Sequence, residues 1–465
     1  MWARTRETSV HIAWRYFYLC KGLITHSFQA TSNRTSLQMS ADIDSFGGQI
    51  YASSSRESMI YQSSQFHAAT PTALSVMADS ILNPLFLQEE LETQREAARY
   101  EVRELSTRPD SILPEIMHYV AYGGKTLGNP SLCAEEQIDR ISADMLRAWT
   151  KEWFRPERMV VAGAGISHEE LLELATKHFA SLQSPPTSVY SPSQALKHSI
   201  VPPPPAMAKS TKPSLYKSLT TAASSLFSSP SPTEPVPINA MANEKADYTG
   251  GQLYVPDSDQ EFDHVYIAFD GVHLTHPDVY ASAVLQTLLG GGGSFSSGGP
   301  GKGLYTRLYT QVLNHYYTVE HCASFHHLYT DSSLLGLHAS FSKTESIRKI
   351  LAILAHQLSL LLYDPVNPVE LNRAKKQLQS SVAMAMESRV VEVEDVGRQV
   401  LMQGHKVEES EMRRKIEEVT SEDIMRVAQD AFGPNSKPPT IIGLGTQDIT
   451  DWKAVFRTYG VGQRA

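Results

Sequence analysis

Eight of the chain's 27 glycines lie between Gly290 and Gly303, in the segment LLGGGGSFSSGGPGKGLYTRLY. A glycine-rich segment contacts phosphate when it follows a strand and opens a helix, because its backbone N–H groups then point at the ligand. Here the preceding residues 279–289 have the apolar spacing of a helix, and Lys302 is followed by Gly303 where a phosphate-binding loop requires Ser or Thr. The order of elements and the missing hydroxyl both argue against a nucleotide-binding protein.

Two other uses of these glycines are a contact surface for a polypeptide and a tight connection between helices, for which glycine is the default residue. Leu304, Leu308 and Val312 follow at helical spacing, so the segment lies inside a domain. It also contains Phe295 and Lys302, which a passive connection does not need. Because few side chains cover its backbone, we expect the segment to bind an extended peptide. The predicted binding residues are Gly290, Gly291, Gly292, Gly293, Ser294, Phe295, Gly298, Gly299, Pro300, Gly301, Lys302 and Gly303.

The histidines do not form a zinc motif. None of the 17 lies in H-x-x-E-H or H-E-x-x-H, the spacings that place two imidazoles on one helix face beside a general base. Cys322 and His326 are four residues apart, but structural zinc prefers two such pairs and no second pair is close in sequence. No G-x-S-x-G motif for a serine nucleophile occurs either. We therefore expect neither a metal site nor a catalytic residue in this chain.

Length and composition indicate a globular protein of at least two domains. The chain has 465 residues with 41% hydrophobic and 20% charged residues, and it contains no apolar run long enough for a transmembrane helix. Its net charge of -9 gives no general affinity for nucleic acid and slightly favours cationic partners. The three cysteines are far apart in sequence, which predicts reduced thiols.

The chain divides into two halves that match each other. Twelve of the 26 prolines fall between Ser184 and Asn239, which predicts an exposed linker or insertion. Three blocks occur in the same order on both sides of it, two of them containing a predicted helix and one a predicted half-buried strand. The paired blocks are 54–66 with 330–341, 82–97 with 363–378, and 141–165 with 419–445. Three ordered matches indicate an internal duplication of an α+β domain.

The glycine-rich segment together with FRPERMVVAGAG, YTGGQLYVP, HVYIAFDGV and ESRVVEVEDVGRQVL resembles the inverzincin-type M16 peptidase family, from about Gln29 to the C-terminus. The resemblance implies an α+β fold of two homologous domains, each a mostly antiparallel sheet with helices packed on it. It also implies that the N-terminal domain is truncated, because the family's opening strands have no match before residue 29. The implied organisation is a divergent N-terminus at 1–28, an incomplete N-terminal domain at 29–183, the linker at 184–239 and a C-terminal domain at 240–465.

Within this family the glycine-rich segment resembles that of non-catalytic α-type subunits of presequence-processing enzymes. The resemblance implies a heterodimer in the mitochondrial matrix, in which a β subunit holds zinc and cleaves basic amphipathic presequences. This chain would bind the presequences through residues 290–303 and would hold no cofactor, since the zinc-motif positions fall on KGLIT at Lys21–Thr25. Acidic residues would either contact the basic presequence or form a solvated helix face. They are Glu387, Glu392, Glu394 and Asp395.

Two other functions remain open on the same fold. A structural core subunit of the cytochrome bc1 complex would have this architecture, but a purely structural subunit has no use for so much exposed backbone. An independent zinc peptidase would need the absent histidine pair. We therefore expect a substrate-recognising subunit of a metalloendopeptidase.

Overall fold

The computed structural model describes residues 7–15, 29–133, 135–182, 244–294, 303–449 and 451–462. The predicted linker at 184–239 lies outside these residues, and the predicted domain boundaries stay predictions. The helices of the described residues are α1 (Ser36–Ser45), α2 (Thr70–Leu82), α3 (Gln88–Ser106), α4 (Pro109–Ala121), α5 (Glu135–Ile138), α6 (Ala143–Trp153), α7 (His168–Phe179), α8 (Val279–Leu289), α9 (Ile347–Tyr363), α10 (Pro368–Met386), α11 (Arg389–Gln403), α12 (Glu409–Glu418), α13 (Ser421–Phe432) and α14 (Trp452–Tyr459).

The strands form two sheets. The strands are β1 (Glu7–Arg15), β2 (Gln49–Ser54), β3 (Ser58–Phe66), β4 (Met159–Ala164), β5 (Gly251–Pro256), β6 (Phe262–Asp270), β7 (Gly291–Gly293), β8 (Val319–Leu328), β9 (Ser333–Ser342) and β10 (Thr440–Gly445). The first sheet has the order β2-β3-β1-β4 and the second β5-β10-β6-β9-β8-β7. Every pair is antiparallel except β5 with β10.

The two sheets confirm the predicted duplication and the α+β fold class. Read from β4, the first sheet runs β4-β1-β3-β2, and the second sheet contains the corresponding series β10-β6-β9-β8. The helix that precedes β4 in the chain begins at Ser142, whose hydroxyl accepts a hydrogen bond from the amide of Met145. The helix that precedes β10 begins at Thr420, whose hydroxyl accepts from the amide of Asp423. The helices α3 and α10, which come from the other matched helical block, each have 19 residues.

The first sheet contains a strand from the N-terminal residues that the family resemblance did not cover. Glu7–Arg15 lies between β3 and β4, with Ile12 paired to Tyr61 on one side and to Val161 on the other. This strand occupies the position that β6 has in the second sheet. Residues that resemble none of the family's strands therefore still supply a central strand here.

The prediction that the strands at 54–66 and 330–341 are half-buried is wrong. Both β3 and β9 are buried along nearly their whole length, including the polar side chains of Gln62 and Ser63. The reason is that each half contributes a helix to the outer face of the other half's sheet. Met117 of helix α4 belongs to the same buried apolar cluster as Tyr266 of β6 and Leu444 of β10.

Helix α11 makes the reciprocal contact with the first sheet. Its Val393 packs against Ala162 and Ala164 of β4, and the Gln62 amide donates to the Val390 carbonyl over 2.7 Å. The second sheet's other face packs on α8, α9, α13 and α14 around residues such as Phe341 and Leu354. Both sheets are therefore the middle layers of a helix–sheet–helix arrangement.

Two further expectations from the sequence can be compared with the structure. The expectation of three reduced thiols is wrong for Cys133, which is disulfide-bonded, since distance along the sequence does not decide distance in space. Cys322 is free and buried, and burial raises the pKa of its thiol to about 12. Among the described helices none is by itself long and apolar enough to cross a membrane; α9 and α10 meet that test only as a pair bent by 104°.

Candidate peptide-binding site

The first glycines of the glycine-rich segment form an edge strand. Helix α8 ends at Leu289, Gly290 takes a φ of 57°, and β7 then pairs with β8 at the edge of the second sheet. Gly291, Gly292 and Gly293 lie opposite Ala323, Cys322 and His321. The segment therefore follows a helix, as predicted, but it begins with a strand that the glycine composition did not indicate. Six of the predicted binding residues lie outside the described residues: Phe295, Gly298, Gly299, Pro300, Gly301 and Lys302.

Close contacts explain why glycine stands at the first two positions. A Cβ on Gly290 would lie 2.3 Å from Cγ2 of Thr306, and one on Gly291 would lie 2.1 Å from the Cys322 carbonyl oxygen. Gly293 differs, because a Cβ there would have its nearest neighbour, Cδ2 of His321, at 3.9 Å. The early glycines thus allow close packing, whereas a side chain at Gly293 is sterically tolerated.

Thr306 joins the two ends of the glycine-rich segment. Its hydroxyl accepts from the Gly291 amide at 3.1 Å and donates to the Gly303 carbonyl at 2.8 Å. Its own amide also donates to the Gly303 carbonyl, at 3.0 Å. Gly303 has a φ of 77°, which favours glycine. Thr306 therefore holds Gly291 and Gly303 close to each other.

A β-bulge at Glu320 holds the far end of the edge strand. The register between β8 and β9 shifts between Val319 and His321, which leaves Glu320 as the extra residue. The Ser294 amide donates to the Glu320 carbonyl at 2.7 Å, and its hydroxyl donates to the carboxylate at 3.0 Å. This contact places one negative charge at the end of the glycine strand.

The helical turn after the segment is fixed to α10. Arg307 forms a two-bond ion pair with Glu370 at 2.9 and 2.8 Å, and Arg373 donates to the Tyr305 carbonyl. Residues Tyr309–Leu313 form a π-helix, and the predicted helical positions Leu308 and Val312 are buried in the core. The helix predicted after the glycines is thus present, in a wider form than an α-helix.

The main chain of the edge strand is oriented to bind another strand. Ser324 donates to the Gly290 carbonyl and Ser294 to the Glu320 carbonyl, so the bonds toward β8 alternate along β7. By that alternation, the amide and carbonyl groups of Gly291 and Gly293 point away from β8. The Gly291 amide indeed reaches Thr306 instead. Since Thr306 binds the Gly291 amide, the outward groups that suit main-chain hydrogen bonds to an extended peptide are the Gly291 carbonyl and the main chain of Gly293. Residues 290–294 are each partly exposed to solvent.

A stack of aromatic rings lies beside the glycine strand, which the sequence analysis missed. His321, opposite Gly293, stacks on His338 with centroids 4.7 Å apart, and His338 stacks on Tyr266 at 4.9 Å. Burial lowers the pKa of His321 and lowers that of His338 to about 3. Neutral imidazoles therefore line this side of the site. Their spacing within separate strands gave no signal, because only the register of three strands brings them together.

The acidic residues proposed for a basic ligand are paired within their own helix. Glu392 lies 3.4 Å from Arg389 and Glu394 3.7 Å from Arg398, while Asp395 accepts from Gln399. Glu387 follows the end of α10 and is exposed. These contacts are those of a solvated helix face, and a role for the four carboxylates in ligand binding stays a prediction.

The described residues contain no group of three or more His, Cys, Asp or Glu arranged to hold a metal ion. Cys322 is buried and His326 half-buried in strand β8, and desolvation lowers the pKa of His326 to about 4. Glu101 and Glu104 lie on helix α3, and Glu104 forms an ion pair with Arg108, which follows that helix. The segment Lys21–Thr25 lies outside the described residues.

Comparison with known proteins agrees with this architecture. The family model described as Peptidase M16 inactive domain matches residues 140–378, and that described as Insulinase (Peptidase family M16) matches residues 23–135. The Neurospora crassa mitochondrial-processing peptidase subunit alpha is 41% identical over 432 residues, covering 88% of this chain and 74% of that protein. The human subunit alpha is 32% identical over 411 residues, covering 88% of this chain and 70% of that protein.

A solved structure shows the same fold. Complex III2 from Candida albicans, with Inz-5 bound, contains a chain that superposes with a TM-score of 0.71 at 15% identity, covering 98% of this chain and 95% of that one. The family of this chain follows from its two matched domains, from the two family models, and from relatives that are named as α subunits of the mitochondrial processing peptidase. The chain belongs to the M16 peptidase family.

Proposed function

We propose that this chain is the non-catalytic, substrate-recognising α subunit of a mitochondrial processing peptidase. In this role it binds the presequences of imported precursors through residues 290–303, in the mitochondrial matrix, and a β subunit that holds zinc cleaves them. The observation that carries the proposal is the glycine edge strand β7, whose outward main chain is positioned by Thr306 and Glu320. Relatives at 30–41% identity bear the name of this α subunit.

The chemistry of the edge strand suits a presequence. Main-chain hydrogen bonds do not depend on the ligand's side chains, so one glycine strand can bind many different precursor sequences. The Glu320 carboxylate at Ser294 adds a favourable charge for a basic residue of the peptide. The chain's net charge of -9 favours the approach of cationic peptides as well.

The division of labour between two subunits follows from the ligands that the sequence offers. A catalytic zinc needs three protein ligands, and the chain has no paired histidines at the motif spacing. Cleavage is therefore assigned to the partner, and this chain contributes binding and orientation of the peptide. The alternative, a structural core subunit of the cytochrome bc1 complex, has the fold likeness to Complex III2 in its favour, but at 15% identity that likeness shows the fold alone.

A reconstitution experiment tests this assignment. The full chain would be purified alone and together with a zinc-bearing β-type subunit, and each preparation assayed for zinc by elemental analysis and for cleavage of a basic presequence peptide. We expect cleavage only from the pair, with one zinc per heterodimer. Cleavage by the chain alone, or stoichiometric zinc in it, would show that it is itself a peptidase. Cleavage by the β-type subunit at the same KM without this chain would show that it does not recognise the substrate.

A further inference from the structure

Two equivalent hairpin turns of the duplicated halves meet each other. The β2–β3 and β8–β9 hairpins correspond in sheet order. Glu57 of the first turn accepts from the backbone amide of Thr330 in the second, with both carboxylate oxygens at 3.1 Å, and its Oε1 also accepts from the Thr330 hydroxyl. We call this pair the hairpin-turn contact. It directly connects the first sheet to the second.

The rest of the second turn is also bonded to the N-terminal half. The Tyr329 hydroxyl lies 2.7 Å from Nε2 of His118 on α4, and the Ser332 hydroxyl lies 3.0 Å from that of Tyr122, which follows the same helix. His118 and Tyr122 are almost fully buried. Because buried polar groups lose much when a partner is removed, the position of residues 329–332 is strongly determined.

The residue before Glu57 fixes the first turn to the same helix. Arg56, only 8% exposed, donates to the carbonyls of Leu127 and Asn129 at 3.0 and 2.7 Å. It also forms an ion pair with Glu115 of α4 at 2.8 Å. The first sheet, α4 and the β8–β9 turn therefore meet at the two adjacent residues Arg56 and Glu57.

Strand β8 connects this meeting point to the candidate site. It begins at Val319 and ends at Leu328, so it spans about 30 Å at the usual rise per strand residue. Next to its first residue, Glu320 binds Ser294, and three residues of β8 pair with the glycine strand. On its other side β8 is paired with β9 along its whole length. A tilt of this hairpin at its turn would displace the glycine strand at the opposite end.

We infer that Glu57 is a positioning residue, which sets the place of the glycine edge strand through the hairpin-turn contact; this inference rests on the proposed function. The N-terminal half then contributes to peptide recognition without touching the peptide. Its geometry decides where the outward main chain of Gly293 lies relative to the partner subunit. This role depends on the carboxylate of Glu57 and on the length of its side chain, because the two carboxylate oxygens accept hydrogen bonds from both the amide and the hydroxyl of Thr330.

The test measures steady-state cleavage of a presequence peptide by the full heterodimer carrying Glu57→Ala or Thr330→Val. We expect Glu57→Ala to raise KM by roughly three- to tenfold, the range for changes that act on coupling between sites, while kcat stays within about twofold. Thr330→Val keeps the shape of the turn and should raise KM by less. The double variant should be no worse than Glu57→Ala alone, because both changes remove the same contact.

Glu104→Ala is the matched control, because Glu104 forms its ion pair with Arg108 of the same half, the residue that precedes α4. It should leave KM unchanged. A lower melting temperature with an unchanged KM in both Glu57→Ala and Thr330→Val would overturn the inference, since that pattern belongs to a purely structural contact. The proposed function is tested separately: replacing residues 295–302 with a short linker should raise KM even if Glu57 has no effect.

Discussion

At the scale of residues, the candidate site depends on a few glycines whose neighbours are far away in sequence. The composition identified the segment and its place after a helix, and both are found. It could not indicate the edge strand, because that depends on Thr306, Glu320 and the carbonyl of Cys322. A glycine-rich sequence indicates that the backbone can adopt many conformations. Which conformation it adopts depends on the residues that pack against the segment.

The contrast between Gly291 and Gly293 gives a matched pair of substitutions. Gly291→Ala would place a Cβ 2.1 Å from the Cys322 carbonyl oxygen at a φ of 98°, so we expect β7 to separate from β8 at a cost of roughly 2 kcal/mol or more. The amides of Ser294 and Ser324, which bond across this pair, should then exchange hydrogen faster. Gly293→Ala meets its nearest atom at 3.9 Å and should leave both amides protected. Equal protection in the two variants would contradict the strand geometry.

Three half-buried histidines predict how the stability of the folded chain changes with pH. Burial lowers the pKa of His326 and His327 to about 4 and that of His338 to about 3, from an ordinary value of 6.5. Below pH 6.5 the unfolded chain binds protons that the folded chain does not. The free energy of unfolding therefore decreases as the pH is lowered below 6.5. The loss at pH 5 is up to about 2 kcal/mol for each histidine. Urea unfolding at pH 7.5 and pH 5 measures it.

His338→Phe isolates one of these histidines. The phenyl ring keeps the stack with Tyr266 and His321 but cannot be protonated, so the stability difference between the two pH values should shrink. The exposed His405 provides the control, because His405→Gln should leave that difference unchanged. If the stability of His338→Phe depends on pH as that of the original chain does, His338 is not held in its neutral form by the folded structure.

At the scale of elements, the matched blocks of the sequence predicted the paired helices and strands correctly. The same blocks gave the wrong burial for β3 and β9. Their polar residues suggested a face toward water, but Gln62 bonds to Val390 of α11 and Ser332, beside β9, bonds to Tyr122. A pattern within one strand shows that a face is polar, and only the tertiary structure shows whether that face meets water or another helix.

The exchanged helices predict that the two halves unfold together. Met117 of α4 is fully buried on the second sheet, so Met117→Ala should lower the free energy of unfolding by about 2–5 kcal/mol. We expect one cooperative transition by both fluorescence and circular dichroism, because removing α4 from the second sheet uncovers both halves. Met384 is 63% exposed, and Met384→Ala should change stability by about 0.5 kcal/mol or less. Two separate transitions in the original chain would contradict the interlocked packing.

At the scale of the whole molecule, the fold and the function are predicted by different parts of the sequence. The duplication alone indicated two α+β domains, whereas the proposed processing role came from the glycine-rich segment and its resemblance to α-type subunits. The contacts that relate the two halves, such as Glu57 with Thr330, were not predictable, because each residue is ordinary in its own hairpin. Only the three-dimensional structure shows that the two hairpin turns contact each other.

Peptide recognition by the glycine-rich segment is measured most directly by the affinity of a fluorescent presequence peptide for the heterodimer with a catalytically inactive β-type partner. Residues 295–302 would be replaced by a short Ala-Ser linker that leaves β7 and Thr306 in place, and residues 205–212 by the same linker as the control. We predict a Kd about tenfold higher or more for the first variant, equal to the loss of roughly 1.4 kcal/mol of binding free energy, and no change for the second. An unchanged Kd in the first variant would contradict peptide recognition by the glycine-rich segment.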